Sequence, residues 1–192
     1  MKQQPANNQL RIIGGAWRGR KLAFAPAHGL RPTPNRVRET LFNWLAPVIR
    51  NARCLDLFAG SGALGLEAAS RGATRCVLVE QQHAVVQVLR EQLARLQADH
   101  VEVIEAEVLN WLAQDATPFD IVFLDPPFRE GLLQLCIERL EQNGWLAESA
   151  WIYLEAERGL ELGLPDHWSW YRDKQAGQVS YRLARRNLLN RA

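Results

Sequence analysis

The stretch Cys54-Leu55-Asp56-Leu57-Phe58-Ala59-Gly60-Ser61-Gly62-Ala63-Leu64-Gly65 constrains the fold more than any other part of this chain. A short apolar run ends in an acid, a tight Gly-rich turn follows, and small and apolar residues then start a helix. Gly60 and Gly62 remove Cβ atoms, so the backbone can turn sharply and a ligand can approach bare peptide groups. The helix behind the turn points unpaired N–H groups at that ligand. This predicts a nucleotide-like ligand at the carboxyl end of the first strand of an α/β sheet. Gly60-x-Gly62-x-x-Gly65 also meets the dinucleotide spacing, with Glu80 placed to hold a ribose hydroxyl. By itself the motif admits NAD, FAD, S-adenosylmethionine or a purely structural turn.

The remainder of the chain supports a doubly wound sheet. Strands are predicted at Cys54–Phe58, Cys76–Val79, Val101–Ile104, Ile121–Leu124 and Trp151–Leu154. Helices are predicted at Leu64–Ser70, Ala84–Leu96, Leu109–Gln114 and Leu132–Glu141. Near-continuous apolar strands of this kind belong in a buried, mostly parallel sheet covered by helices. After Pro165 the pattern changes: Trp168–Lys174 and Val179–Arg185 flank Gly177 and read as an antiparallel hairpin. With 192 residues, 47% of them apolar, the chain can build one full core with a small appendage. No apolar run approaches the length of a membrane span, and Met1 to Leu10 shows no secretory h-region. Cys54, Cys76 and Cys136 each sit in an apolar segment without metal-ligand spacing, and the four histidines are scattered. Buried reduced thiols, a cytoplasmic location and no metal site are therefore expected.

The net charge of +2 hides an asymmetry. Residues 1–50 carry nine Lys or Arg and one acid, Glu39, whereas the rest carries 14 basic and 20 acidic residues. A basic front on an acidic body suggests contact with a phosphate backbone. Within that front, Leu10–Ile13 and Trp17–Phe24 around Gly14-Gly15 read as a basic hairpin. Trp17 among Arg11, Arg18, Arg20 and Lys21 suits an unstacked RNA base, with packing onto the main domain as the alternative. Thr33 is expected to N-cap a helix with Pro34 at its first position. Val37, Leu41, Leu45 and Val48 share one face of that helix. Arg36 and Arg38 fall in its first turn, where the dipole disfavours cations. With Arg31 they are expected to face phosphate or a ligand carboxylate, unless acids of the body claim them.

Asp56, Glu80 and Asp125 lie at or near strand ends, and Glu107 lies just past the third strand. In a doubly wound sheet these positions line one crevice, and a cationic, hydroxyl-rich ligand would explain the gathered acids. Asp125-Pro126-Pro127-Phe128 ends the fourth strand in a rigid turn. A carboxylate beside a carbonyl makes an acceptor pair for an amine with two hydrogens, and Phe128 offers a flat face for a base. Holding both N–H bonds lets a planar exocyclic amine become more tetrahedral and aim its lone pair at an electrophile. The base must be unpaired or extruded from its stack.

Asp-Leu-Phe-Ala-Gly-Ser-Gly together with Asp-Pro-Pro-Phe resembles the amino-group branch of the class I S-adenosylmethionine-dependent methyltransferases. Arg11-Ile12-Ile13-Gly14-Gly15-x-x-Arg18-Gly19-Arg20-Lys21-Leu22 is followed by Arg31-Pro32-Thr33-x-x-Arg36-Val37-Arg38-Glu39-x-Leu41-Phe42-Asn43-x-Leu45. These segments narrow the resemblance to the bacterial 16S ribosomal RNA guanine-N2 methyltransferase D family, from about Leu10 to Arg185. The resemblance implies a Rossmann-like catalytic domain over 51–192 and an RNA-contacting extension over 10–50, and the polar residues 1–9 are expected to form a disordered tail. It places Asp56, Phe58, Ala59, Gly60, Ser61 and Gly62 around the methionine end of S-adenosylmethionine. Glu80 and Gln81 would sit at the ribose, and Glu107 and Val108 at the adenine. The family's usual Gly-Asp-Ala reads Ala106-Glu107-Val108 here. Asp125, Pro126 and Phe128 would receive the guanine. The implied substrate is 16S rRNA in an assembled or assembling small subunit, with adjacent ribosomal proteins as partners and the enzyme as a monomer. Asp-Pro-Pro-Phe also occurs in adenine-N6 DNA methyltransferases, which usually carry a separate target-recognition region. A NAD-dependent oxidoreductase would leave that motif unexplained, and a non-catalytic RNA-binding factor would leave the strand-end acids unexplained.

Overall fold

A computed structural model of the chain describes residues 9–24 and 33–188. The elements in order are β1 (Gln9–Arg11), β2 (Lys21–Ala23), α1 (Asn35–Leu45), β3 (Arg53–Asp56), α2 (Gly65–Ser70), β4 (Arg75–Glu80) and α3 (His83–Leu96). They continue with β5 (Val101–Glu105), α4 (Val108–Trp111), β6 (Phe119–Leu124), α5 (Leu132–Gln142), β7 (Leu146–Glu157), β8 (Trp168–Ala176) and β9 (Val179–Asn187). Seven strands form one sheet in the order β5-β4-β3-β6-β7-β9-β8. β3 to β7 run parallel, and β9 pairs antiparallel with both β7 and β8. From β3 the chain crosses first to β4 on one side and later to β6 on the other, so the topological switch point lies at β3. Ligand crevices of open α/β sheets form at such points.

Both faces of the central parallel strands β3, β4 and β6 are buried, as their apolar runs predict. Cys54, Cys76, Leu78, Ile121 and Phe123 pack into one hydrophobic cluster with α1, α2 and α3. Their neighbours Leu55, Val77, Val79, Val122 and Leu124 pack into the other, with α4 and α5. The alternation follows from the two-residue period of a strand. Among the described residues no helix is long and apolar enough to cross a membrane, and all three cysteines are buried and free.

The amino-terminal region departs from its expected form. The second strand begins at Lys21 rather than Trp17, because residues 13–17 hook onto α2 instead of extending the hairpin. The N–H groups of Ile13 and Gly14 donate to the Glu67 carboxylate at 2.8 Å each. The Trp17 N–H donates to Ser70 Oγ, which itself donates to the Gly14 carbonyl. Gly15 has φ 75°, and a Cβ there would lie 1.8 Å from the Ser70 oxygen, so only glycine fits. Leu10 faces Leu22 across the short hairpin. Ile12, Trp17 and Leu22 join the same cluster as Val37, Leu41 and Cys54. Gln9, expected in a disordered tail, belongs to β1. In α1, Val37, Leu41 and Leu45 are buried as predicted and Val48 is half-buried beyond the helix end. Thr33 does not cap α1: Pro34 occupies the cap position and makes no side-chain cap bond. The Thr33 hydroxyl is directed elsewhere, into the crevice.

Candidate active site

The Gly-rich turn sits at the switch point and is held by the neighbouring strand ends. The Leu57 N–H donates to the Phe123 carbonyl and the Ala59 N–H to the Val79 carbonyl. Gly60 and Gly62 have φ values of 49° and 76°. A Cβ at Gly62 would meet Leu66 at 2.6 Å and Leu89 at 2.9 Å. Gly65 serves a different purpose, because a Cβ there would press on Leu78 and on Asp56 Oδ2 at 3.0 and 3.2 Å. It lets α2 approach the end of β3.

The acids around this turn have different partners. Asp56 is 2% exposed, and its Oδ2 accepts the Gly65 N–H at 2.9 Å. Its Oδ1 is buried without a hydrogen-bond partner among the described residues. Burial raises its pKa to about 7, the Gly65 N–H lowers it in part, and the Glu80 charge pushes it up again. Glu80 spans the turn, accepting Gly60 N–H on Oε2 at 3.0 Å and Gln82 N–H on Oε1 at 2.8 Å. A carboxylate oxygen offers two lone-pair sites, so both oxygens can still accept from ligand hydroxyls. Ala59 and Ser61 are buried beside it, Phe58 is half-buried and Gln81 is exposed. Glu107 is engaged as the cap of α4, accepting the N–H groups of Leu109 and Asn110, with Val108 buried next to it. These residues fit S-adenosylmethionine. The orphaned, buried Asp56 oxygen suits an ammonium donor, Gly60 in the turn is partly exposed and carries no side chain to block a ligand, and Glu80 can take hydroxyls.

Asp125 stands at the end of β6, two strands from Glu80's β4. Its Oδ2 accepts the Thr33 hydroxyl at 3.4 Å. Burial raises its pKa well above the usual carboxylate range, and the charges of Glu155 and Asp56 add to that effect. Glu155, on β7, is 5% exposed and accepts the Tyr153 hydroxyl at 2.8 Å. Its own pKa is raised by burial, with Tyr153 and Thr33 opposing. Pro126 is buried, whereas the Phe128 ring is 42% exposed and free to meet a base. Pro126, Pro127, Phe128 and Leu132 line a cavity of about 150 Å³ with Leu160 and Leu162.

Thr33 and Glu155 are site residues that sequence reasoning missed. A signal existed for Glu155, an acid directly after the apolar run of the fifth strand. Thr33 carried the ordinary signature of a helix cap, which hid its contact with Asp125.

Two residues expected to face RNA are enclosed instead. Arg38 is fully buried, lies 3.6 Å from Glu67, and donates to the Arg11 carbonyl and Asn35 Oδ1. The unfavourable charge in the first turn of α1 is thus offset by a body acid, the alternative that the sequence left open. Trp17 is also buried, with its ring 5.8 Å from His100. Arg11, Arg18, Arg20, Lys21 and Arg36 are exposed, and Arg31 lies outside the described residues.

The sheet order, the turn at its switch point and the acceptor motif beside it define a Rossmann-like methyltransferase. The sequence model of the family described as conserved hypothetical protein 95 matches residues 10–185. The chain is 57% identical to the ribosomal RNA small subunit methyltransferase D of Escherichia coli (strain K12) over 183 residues, 94% of this chain and 91% of that protein. A solved Escherichia coli structure, also 57% identical, superposes with a TM-score of 0.86 over 93% of this chain and 98% of its own. An RNA methyltransferase from Salinibacter ruber, solved with S-adenosyl-L-homocysteine, is only 19% identical but shares the fold at a TM-score of 0.63 over 82% of this chain and 94% of its own. The chain belongs to the ribosomal RNA small subunit methyltransferase D family.

Proposed function

We propose that this protein methylates the exocyclic 2-amino group of a guanine in 16S ribosomal RNA, using S-adenosylmethionine. The observation that carries the reading is the juxtaposition of two sites at one sheet edge. A turn with an orphaned Asp56 oxygen lies at the end of β3, and an amine-accepting Asp125-Pro126 with an exposed Phe128 lies at the end of the adjacent β6. The name carried by the Escherichia coli relative supplies the substrate class, small-subunit ribosomal RNA.

When bound, S-adenosylmethionine supplies an electrophilic methyl group. Asp56 would hold its ammonium and Glu80 its ribose hydroxyls, while Val108 would lie against the adenine. The chain's own contribution is positional and electrostatic. Phe128 stacks on the flipped guanine. Asp125 and the Pro126 carbonyl take the two amine hydrogens, which directs the nitrogen lone pair towards the cofactor turn. As methyl transfer develops positive charge on that nitrogen, the Asp125 carboxylate stabilises it and then accepts the released proton. The Thr33 hydroxyl donates to the same carboxylate. The exposed cations Arg11, Arg18, Arg20, Lys21 and Arg36 would meet the RNA backbone around the extruded base.

Undermethylated small ribosomal subunits incubated with labelled S-adenosylmethionine are expected to gain label in their RNA, recovered as N2-methylguanine on nucleoside analysis. Label on adenine, or none on RNA, would overturn the reaction. The Asp56 carboxyl gives a pH signature. Its pKa of about 7 means the free protein binds a proton there below neutrality, and a ligand ammonium requires the carboxylate. Affinity for S-adenosylhomocysteine is therefore expected to fall as pH drops below about 7, by up to about tenfold per unit, and to level off above it. Asp56→Asn should bind weakly at every pH and show no such slope. Calorimetric titration from pH 5.5 to 8.5 checks this, and a flat wild-type profile would sink the assignment.

A further inference from the structure

The face of β8 and β9 that looks towards α1 carries a set of aromatic rings and cations that the reaction centre does not use. Trp151 on β7 meets Tyr171 on β8 edge-on, with ring centroids 4.8 Å apart. Trp44 on α1 stacks on Tyr181 of β9 at 5.7 Å. A cation lies over a ring at three places: Arg172 over Tyr171 at 4.0 Å, Arg185 over Trp151 at 5.4 Å and Lys174 over Trp44 at 5.9 Å. Tyr171 is 43% exposed. Arg172, Lys174 and Arg185 are exposed, and none has a carboxylate partner among the described residues. Asp173, the acid between two of them, pairs instead with Arg182.

Two features distinguish this surface from an ordinary solvated edge. The register of β8 against β9 shifts between Trp170 and Arg172, which inserts Tyr171 as an extra residue. A bulge of this kind re-aims a side chain, and here it sets Tyr171 against Trp151. The surface also begins at the acceptor site. Lys174 pairs with Tyr181, and Tyr181 with Glu155, in one cross-strand row, and the Glu155 charge acts on Asp125. Arg172 and Arg185 lie in the following rows. From β6 to β8 is three strand spacings, about 14 Å, within reach of the same RNA whose base occupies the Asp125 site.

We infer that the α1-side face of β8 and β9, built on Tyr171, Trp151, Arg172, Lys174 and Arg185, is a second binding surface for the substrate RNA. The exposed Tyr171 ring, backed by the half-buried Trp151, stacks on an unpaired base near the target guanine, and the cations pair with the adjoining phosphates. Unpaired cations beside an exposed ring complement a single-stranded or looped RNA. This rests on the proposed RNA substrate, so its test reads binding separately from reaction.

Binding of the 192-residue chain to undermethylated small ribosomal subunits is measured by co-sedimentation over a series of salt concentrations. Arg172→Ala, Lys174→Ala and Arg185→Ala combined are expected to weaken binding by roughly tenfold or more and to lower the salt slope by about 2 to 3. Affinity for S-adenosylhomocysteine and the melting temperature should stay at wild-type values. Tyr171→Ala should lose about fivefold or more, and Tyr171→Phe, which keeps the ring, should restore it. Unchanged binding and salt slope in the triple variant overturn the surface. A photo-cross-linking residue at position 171 is expected to attach to RNA, and attachment to a ribosomal protein alone would overturn it in favour of a protein partner. Absence of methyl transfer by the wild-type chain overturns the proposed reaction, and the binding measurements still decide the surface.

Discussion

Asp125→Ala is expected to abolish methyl transfer, lowering kcat by about a thousandfold or more while leaving S-adenosylhomocysteine affinity within about threefold of wild type. The carboxylate is the one charged acceptor at the end of β6, and the positive charge of the reaction develops directly beside it. Its setting makes the loss large. Burial and the Glu155 charge keep Asp125 a stronger proton acceptor than an exposed aspartate, and Thr33 restrains its orientation. Asp125→Asn retains one acceptor oxygen but loses the charge and the proton sink, so it should fall between Ala and wild type. Single-turnover methylation with calorimetric cofactor binding checks both variants. Near-wild-type kcat in Asp125→Ala would remove the residue from the chemistry and leave the amine-acceptor account without its main group.

Glu67→Ala is expected to be the most damaging change outside the crevice, costing about 3 to 5 kcal/mol and lowering the melting temperature by about 10 °C or more. Glu67 is fully buried on α2. Its carboxylate accepts the backbone N–H groups of Ile13 and Gly14, accepts Arg71 Nε at 2.7 Å and faces the buried Arg38 guanidinium at 3.6 Å. Truncation leaves Arg38 charged in an apolar interior and two N–H groups unsatisfied. Replacing both Arg38 and Glu67 with apolar residues of similar volume should recover a large part of the loss, because the isolated charge is then gone. Differential scanning calorimetry of the single and double variants checks this. A single variant melting within about 2 °C of wild type would show that the pair is dispensable. Amide exchange should also show faster opening of residues 13–17, whose hydrogen bonds run to α2.

Much of the fold was legible because its signals are local. Apolar strands, helical periodicity and Gly60-x-Gly62 state their own geometry, and the observed elements differ from the predicted ones mainly at their ends. β2 and β7 are the exceptions. The second hairpin strand is expected over Trp17–Phe24 but spans only Lys21–Ala23, because the residues before it bond to α2. β7 is expected over Trp151–Leu154 but runs Leu146–Glu157, since polar residues such as Glu148 and Ser149 mask a strand whose partners lie elsewhere. The candidate site was legible in part for the same reason. Asp56, Glu80 and Asp125 are announced by the ends of apolar runs. Glu107 looks alike in sequence, and only the structure shows that its carboxylate also caps α4, accepting the Leu109 and Asn110 N–H groups.

Arg36 and Arg38 mark the limit of such reading. They are two residues apart in one basic helix turn, yet one is exposed and the other is among the largest fully buried side chains. Helical phase places them on different faces, but only a carboxylate 29 positions further along makes burial of an arginine tolerable. Thr33 meets Asp125 across 92 residues, and the aromatic–cation face is assembled from α1, β7, β8 and β9. The sequence by itself determined the Gly-rich turn, the acceptor tetrapeptide and the parallel sheet, because positive φ, proline rigidity and side-chain periodicity act within a few residues. Only the tertiary structure decided which charges are buried, which carboxylate sits beside Asp125 and which rings stay exposed, because desolvation and pairing depend on groups that the fold alone brings together.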